Sequence, residues 1–438
     1  MAWGFDVLVD NSGDVLVSRE RVPGEVWVLV SACFLVAIGF GMMAPVVPAF
    51  ATTFGVGVTA ASFVVSAFAI VRLAFAPASG KLISRLAERP VLLWGLAINA
   101  VATGACGWAQ TYWQLLAFRS IAGIGSVMFT VAGVGLILRL SPVGLRGRVS
   151  GLWSTSFLLG NMAGPLVGGV FAGESIRLPF IIYGSGTMLA AVVIWLLLKQ
   201  SGEKSGSDRR DQPEFKVRQA LRHKAYRSSL ASAFAVGWVS FGVRFSLIPL
   251  FVAGVLHESS TAAGIGLSIY AVGTASVLLI SGRIADLRGR KPVVLTGLAI
   301  LTVGSLLLAF TSSLPMFYVA SLVAGIGSGM ISPAQTATVA DLIGTNVRGG
   351  PVLAFYQMTM DLGAIVGPLL AGVVADFWSY QAAFTMSAII SVLALGFWIL
   401  APETLVGGRK RPPTPAPAVT QATPGSEVCG PAADTSSS

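Results

Sequence analysis

The 438-residue chain is short of charge: 11% of its residues are Asp, Glu, Lys or Arg, against 54% that are apolar. A soluble domain carries about 25% charged residues, so this composition excludes a chain surrounded by water. Cysteine and histidine are scarce too. Cys33, Cys106 and Cys429 stand far apart, two in apolar stretches and one near the C-terminus, which makes neither a metal spacing nor a disulfide framework. His223 and His257 are the only histidines, too few for a histidine metal centre. There is no phosphate-cradling glycine loop of the nucleotide-hydrolase type and no nucleophile elbow. The expectation is therefore no cofactor, no metal, no ATP bound by this chain and no enzyme.

What is abundant is apolar sequence in runs of about 20 residues, enough to cross a bilayer core of roughly 30 Å. Twelve such spans are expected, near 26–50, 61–80, 90–109, 113–140, 149–171, 179–198, 229–253, 262–281, 292–311, 315–340, 350–375 and 381–400. The fold class is an all-α membrane protein. The expected division is a cytoplasmic N-terminal segment 1–25, a six-helix half 26–198, a cytoplasmic linker 199–228, a second six-helix half 229–401 and a disordered tail 402–438 rich in Pro, Ala, Thr and Ser. The first 25 residues are polar and run on into a full span, which argues against a cleaved signal peptide. Phe5 to Ser18 reads as two alternating runs around a turn, a small hairpin.

The net charge of +10 does not point to nucleic acid, because the bases sit in short loops between apolar runs. With the N-terminus inside, the inner loops hold Lys81, Arg85, Arg89, Arg139, Arg146, Arg148, a cluster from Lys199 to Arg227, then Arg283, Arg288, Arg290, Lys291, Arg348 and Arg409 to Arg411. The outer loops hold Arg177 alone. This asymmetry predicts both termini in the cytoplasm.

The chain repeats itself. Pro48 matches Pro249, Pro90 matches Pro292, Gly123 matches Gly325, Arg146 matches Arg348 and Pro165 matches Pro368, at offsets of 201 to 203. "AGIGSVM" at Ala122 returns as "AGIGSGM" at Ala324. Two parallel six-helix halves are a transporter architecture, with a site between them.

Three motifs identify a family. "GRIADLRGRK", Gly282 to Lys291, fits the loop signature G-x-L-A-D-R-x-G-R-K; Arg119 followed by "AGIG" fits a fourth-helix arginine-glycine signature; "GNMAGPLVGG", Gly160 to Gly169, fits the fifth-helix signature G-x-x-x-G-P-x-x-G-G. The chain resembles the major facilitator superfamily over nearly its whole length, and within it the twelve-spanner drug:proton antiporters. The resemblance implies a proton-coupled exporter of small amphiphilic or hydrophobic molecules working by alternating access, a monomer in a bacterial plasma (inner) membrane. Its partners are then a small-molecule substrate, protons and membrane lipid, with no nucleic acid. The alternative on the same fold is a carrier for an organic anion or metabolite.

The resemblance implies that the charged loops latch the cytoplasmic gate. In Gly282 to Lys291 the gating residues are Gly282, Asp286, Arg288, Gly289, Arg290 and Lys291, and Asp286 is expected to face the start of helix five near Arg148 to Gly151. The first loop, "GKLISRLAERP", keeps Gly80, Arg85 and Arg89 but has Ser84 for the acid and Ala87 for the second glycine. Setting membrane topology is the plainer role for these charges. Gly160, Gly164, Gly168 and Gly169, with the bend of Pro165, let helices approach closely, and Gly363, Gly367 and Pro368 carry a variant in the second half. Four charges fall inside spans: Arg72, Arg119, Arg244 and Asp361. Each is costly in hydrocarbon and is expected to face protein or water. Asp361 lies about 12 residues, or roughly 18 Å, into its span. An aspartate alternating between an arginine partner, Arg244 at comparable depth, and a proton would couple proton flow to carrier motion; a permanent ion pair is the static alternative. The resemblance implies proton coupling for Arg119, while Arg72 can equally snorkel inward. Helix one contains no acid, and three deep arginines against one aspartate fit neutral, zwitterionic or anionic amphiphiles better than permanent cations. Trp153, Trp238, Phe241, Phe245, Tyr356 and Gln357 are the cavity candidates.

Overall fold

The computed structural model describes residues 6–9, 15–18, 22–141, 145–198, 217–343 and 350–404. The hairpin expected near the N-terminus is present: β1 (Asp6–Val9) pairs antiparallel with β2 (Val15–Ser18), Val7 opposite Val17 and Leu8 opposite Leu16. The linker residues 199–216, the tail from 405 on, Arg348 and the side chains of Arg146 and Arg148 lie outside what is described.

Twelve helices long and apolar enough to span a membrane follow. They are α1 (Gly24–Thr52), α2 (Val58–Leu86), α3 (Glu88–Cys106), α4 (Tyr112–Leu140), α5 (Arg146–Glu174) and α6 (Leu178–Leu197). After a single turn at Val217–Ala220 come α7 (Lys224–Gly254), α8 (Ser260–Arg288), α9 (Arg290–Ala309), α10 (Leu314–Ile343), α11 (Gly350–Phe377) and α12 (Tyr380–Ile399). In lipid the backbone has no water to bond with, so intrahelical hydrogen bonding is the form that satisfies each span. The spans outrun the apolar cores by a turn or so, because polar first and last turns continue the same ladder.

Local chemistry sets the ends. Thr111, Ser259 and Ser379 accept from the backbone N–H of Gln114, Ala262 and Ala382 and so cap α4, α8 and α12. The cap of α2 is Gly57, which has no side chain for the task, and its partner comes from the other half. Prolines 45, 48, 77, 165, 249, 333 and 368 lie inside spans. Within α7 the stretch Gly237–Val243 is π-helical, flanked by α-helix on both sides. Its wider turns rotate the faces of all that follows.

Each half packs on small residues. Cβ atoms placed on Gly160 or Gly164 would fall 2.5 Å from Ala37 Cβ or Ile38 O of α1. Gly168 lies against Met42 of α1, Gly169 against Thr261 and Gly264 of α8, and Gly363 and Gly367 against Trp238 of α7. Pro368 lies against Gly242.

Even-numbered connections bring the basic loops to one end of the bundle. At that end the halves hold matching ion pairs of inverted sign. Glu88 Oε2 meets Arg139 Nη1 at 2.8 Å, and at an offset of 202 residues Arg290 Nε meets Asp341 Oδ2 at 3.2 Å. Arg89 donates to Trp195 O, and its counterpart Lys291 to Ile399 O and Ala401 O. Glu403, placed by the sequence in the tail, accepts from the N–H groups of Arg290 and Lys291 and caps α9.

Candidate functional site

A cavity of about 250 Å³ lies at mid-depth between the halves, lined by residues of α1, α2, α4, α5, α6, α7 and α11. Its wall is aromatic. Phe40 stands 6.0 Å from Phe68, 6.5 Å from Phe157 and 6.1 Å from Phe245, ring centre to ring centre, and Phe245 is 6.5 Å from Phe241. These rings come from α1, α2, α5 and α7, so one apolar sheet of side chains crosses the boundary between halves.

The polar groups sit around that sheet. Arg119 on α4 is 5% exposed, and its Nε and Nη1 have no hydrogen-bond partner. Its guanidinium carbon lies 4.3 Å from the centre of the Phe68 ring, a cation–π contact. Arg72, one turn beyond Phe68 on α2, donates through Nη1 to Ser126 Oγ. Tyr183 completes this side and accepts from Asn99 Nδ2 at 3.1 Å. Across the cavity, Asp361 Oδ1 accepts from Gln357 Nε2 at 3.3 Å, both on α11. Among the described residues Asp361 forms no ion pair within 4.0 Å; Arg72 is the cation in electrostatic reach of it.

Of the expected deep charges, Asp361, Arg119 and Arg72 meet at this cavity and Arg244 does not. Arg244 follows directly on the π-helical segment and turns into the second half. There its guanidinium stacks on Tyr270, 3.0 Å from the ring centre, and Tyr270 donates to Ser240 Oγ at 2.6 Å. The expected Asp361–Arg244 pairing is thus not formed; Asp361 shares the cavity with Arg72 instead. Of the expected cavity residues, Phe241, Phe245 and Gln357 line it. Trp153, Trp238 and Tyr356 do not. Trp153 packs on Phe129 at 5.7 Å, Trp238 is buried with its indole N–H on Ser387 Oγ, and Tyr356 is buried among Tyr226, Val339 and Val352. Phe40, Phe68, Phe157 and Tyr183 were missed. The repeat offered a signal for one, since Phe40 precedes Phe241 by the offset of 201 that relates Pro48 to Pro249.

Among the described residues the hydrogen bonds and ion pairs of the loops at the basic end stay within their own halves. Asp286 pairs with Arg290 four residues on and is largely exposed, and Ser84 Oγ donates to Lys81 O at 2.7 Å. Gly80, Arg85, Gly282 and Arg288 line the same end, and Gly289 takes φ 111° at the turn into α9. The hydrogen bonds that join the halves among the described residues lie on the other side of the cavity. Ser66 Oγ donates to Ile365 O, Thr261 Oγ1 to Gly169 O, and Asp376 accepts from Val58 N at 2.9 Å, Thr59 N at 2.7 Å and Thr59 Oγ1 at 2.5 Å. One carboxylate of α11 thus caps the α2 start that Gly57 leaves bare, where the helix dipole favours a negative charge.

The family model of the Major Facilitator Superfamily matches residues 29–263 and 230–430. Multidrug resistance protein 2 of Bacillus subtilis (strain 168) is 24% identical over 392 residues, covering 84% of this chain and 93% of that protein. Multidrug resistance protein MdtG of Serratia proteamaculans (strain 568) is 25% identical over 391 residues, covering 86% and 92%. Among solved structures, a bacterial homolog of the human lysosomal transporter Spinster, in an inward-facing and unoccupied conformation, superposes with a TM-score of 0.75 at 18% identity, over 89% of this chain and 98% of that one.

Proposed function

The chain belongs to the Major Facilitator Superfamily, a membrane transporter and not an enzyme, and from that premise we propose that it exports small amphiphilic or hydrophobic molecules in exchange for protons. The observation that carries this reading is Asp361, the one acid at mid-span depth, lining an aromatic cavity between two halves. A carboxylate reachable from the cavity can hold a proton or a substrate charge, and alternation between the two is what exchange requires. The multidrug resistance relatives support the export direction.

The bases mark the cytoplasmic end. With that orientation the halves are joined at the outer end, through Asp376, Thr261 and Ser66, and the structure is closed to the outside. Among the described residues the loops Gly80 to Arg89 and Gly282 to Lys291 bond only within their own halves, which supports an open gate at that end. The α1–α5 glycine interface keeps the first half tight against ion leak while it rocks.

Everted vesicles with an imposed proton gradient test the reading. Adding an exported amphiphile releases protons in wild type, and Asp361→Asn abolishes the release at equal protein level. Release that persists in Asp361→Asn removes Asp361 from coupling. A second reading, a carrier of organic anions, is favoured by the pair Arg72 and Arg119 in the same cavity; it predicts uptake or efflux of anions without proton release.

A further inference from the structure

Resting on the proton-exchange reading, we propose that the carried molecule is a zwitterionic amphiphile: an apolar or aromatic body bearing one acid group, held by Arg119 and Arg72, and one ammonium, held by Asp361.

The argument starts from the unpaired cation. Arg119 is almost wholly buried, and two of its guanidinium nitrogens have no partner. The Phe68 ring covers one face, which helps a cation but leaves its N–H donors unused. Arg72 is bonded to a neutral hydroxyl, Ser126. The acids of α1 to α6 are Glu25, Glu88 and Glu174, all in first or last turns, so none of them reaches these guanidiniums. Cys106 and Tyr183 are the other titratable groups beside Arg119. A buried cation without a counter-charge costs several kcal/mol, and because Arg119 lines the cavity, a carboxylate, sulfonate or phosphonate there would supply the missing charge.

Exchange adds a second condition. Substrate and proton must exclude one another, which means negative coupling at a shared group. A simple anion on Arg119 and Arg72 sits near Asp361 and favours its protonated form, so anion and proton would bind together and move together. A neutral body leaves the arginines unpaired and gives the proton nothing to compete with. A simple cation does compete at Asp361, but faces two arginines in a cavity of low dielectric. An ammonium on Asp361 with an acid group on Arg119 and Arg72 meets both conditions. In the cytoplasm the ammonium displaces the carboxyl proton, which leaves to the water on that side. Outside, a proton returns to Asp361, and the ammonium departs with the rest of the molecule. The wall of Phe40, Phe157, Phe241 and Phe245 holds the body without fixing its shape.

Four forms of one scaffold separate the possibilities: naphthylalanine as the free zwitterion, its carboxamide (cation), its N-acetyl derivative (anion) and the N-acetyl carboxamide (neutral). Binding to the full chain in detergent micelles is followed by calorimetry at mildly acidic pH. The zwitterion is expected to bind about tenfold tighter than either singly charged form, and the neutral form weakest. Arg119→Gln brings the zwitterion down to the carboxamide without weakening the carboxamide, and Asp361→Asn brings it down to the N-acetyl form. A carboxamide or N-acetyl form that matches the zwitterion overturns the proposal, as does a zwitterion with no measurable binding. The wild-type ranking needs no variant, and Arg72→Gln stands in if Arg119→Gln does not fold. The same probes in everted vesicles separate this from the reading beneath it. Proton release by the carboxamide but not the zwitterion keeps proton exchange and sinks the zwitterion. Selective binding of the zwitterion with no proton release by any probe sinks exchange instead.

Discussion

At the scale of single residues, the two charged loops share a positive-φ turn that one fills with glycine and the other with alanine. Gly289 has φ 111° and ψ 157°, and its counterpart Ala87 has φ 67° and ψ 171°. That region belongs to glycine, and a side chain there stores about 1–3 kcal/mol. Ala87→Gly is expected to remove that strain and raise the midpoint of thermal unfolding in detergent. The expected gain is about 1 kcal/mol, net of the added freedom of the unfolded chain. Gly289→Ala meets the same torsional penalty and also crowds Glu403, whose Oε2 would lie 2.5 Å from the new Cβ. It is expected to lower the midpoint and to free the α9 cap. Opposite signs for these two exchanges test the idea; a destabilising Ala87→Gly contradicts it.

At the scale of elements, the spans were legible because length and apolarity suffice to define a helix in lipid. Their rotation was not. Such helices are apolar on lipid and core faces alike, so Trp153, Trp238 and Tyr356 look no different in sequence from Phe40 or Phe68. The loop ion pairs were hidden for another reason. Glu88 with Arg139 and Arg290 with Asp341 occupy matching positions, but with signs exchanged, and a search for repeated identities passes over them. The glycines were legible as a face, and the structure names their partner as α1. Gly164→Leu places its first carbon 2.5 Å from Ile38 O and 2.6 Å from Gly41 Cα, with no flexible side chain to yield. Overpacking of this kind costs about 1–3 kcal/mol or more. The expected result is a lower unfolding midpoint and loss of transport, while Leu166→Ala, on a lipid-exposed position of the same helix, leaves transport intact. Equal transport in the two variants argues that α1 and α5 need not stay in contact.

For the whole molecule, the end opposite the basic loops, the outer one in the proposed orientation, joins the halves asymmetrically, and that asymmetry is measurable. Asp376 of α11 caps α2 across the halves with three hydrogen bonds. At the 202-residue offset, Glu174 of α5 stands where it should cap α8, but Ser259 already caps α8 from within its own chain segment, and Glu174 is exposed. Of the two matching positions, Asp376 therefore joins the halves through charge while Glu174, among the described residues, does not. Asp376 is itself exposed, so solvent screens the contact. Its removal is expected to shift the balance toward outward opening by about 1 kcal/mol, roughly fivefold in the ratio of states. A reporter at Ala69→Cys, on the cavity wall, reads this in a background lacking the native cysteines, through labelling by an impermeant maleimide from outside. Asp376→Ala is expected to raise the labelling rate and Glu174→Gln to leave it unchanged. Ser84→Asp, which restores an acid to the blunted inner loop, acts on the same equilibrium from the other end and should raise the rate as well. The two sites lie at opposite ends of the bundle with no shared partner, so their energies are expected to add in the double variant. A double variant no faster than Asp376→Ala alone would mean that the inner loop does not latch at all, and that the carrier is gated from its outer end.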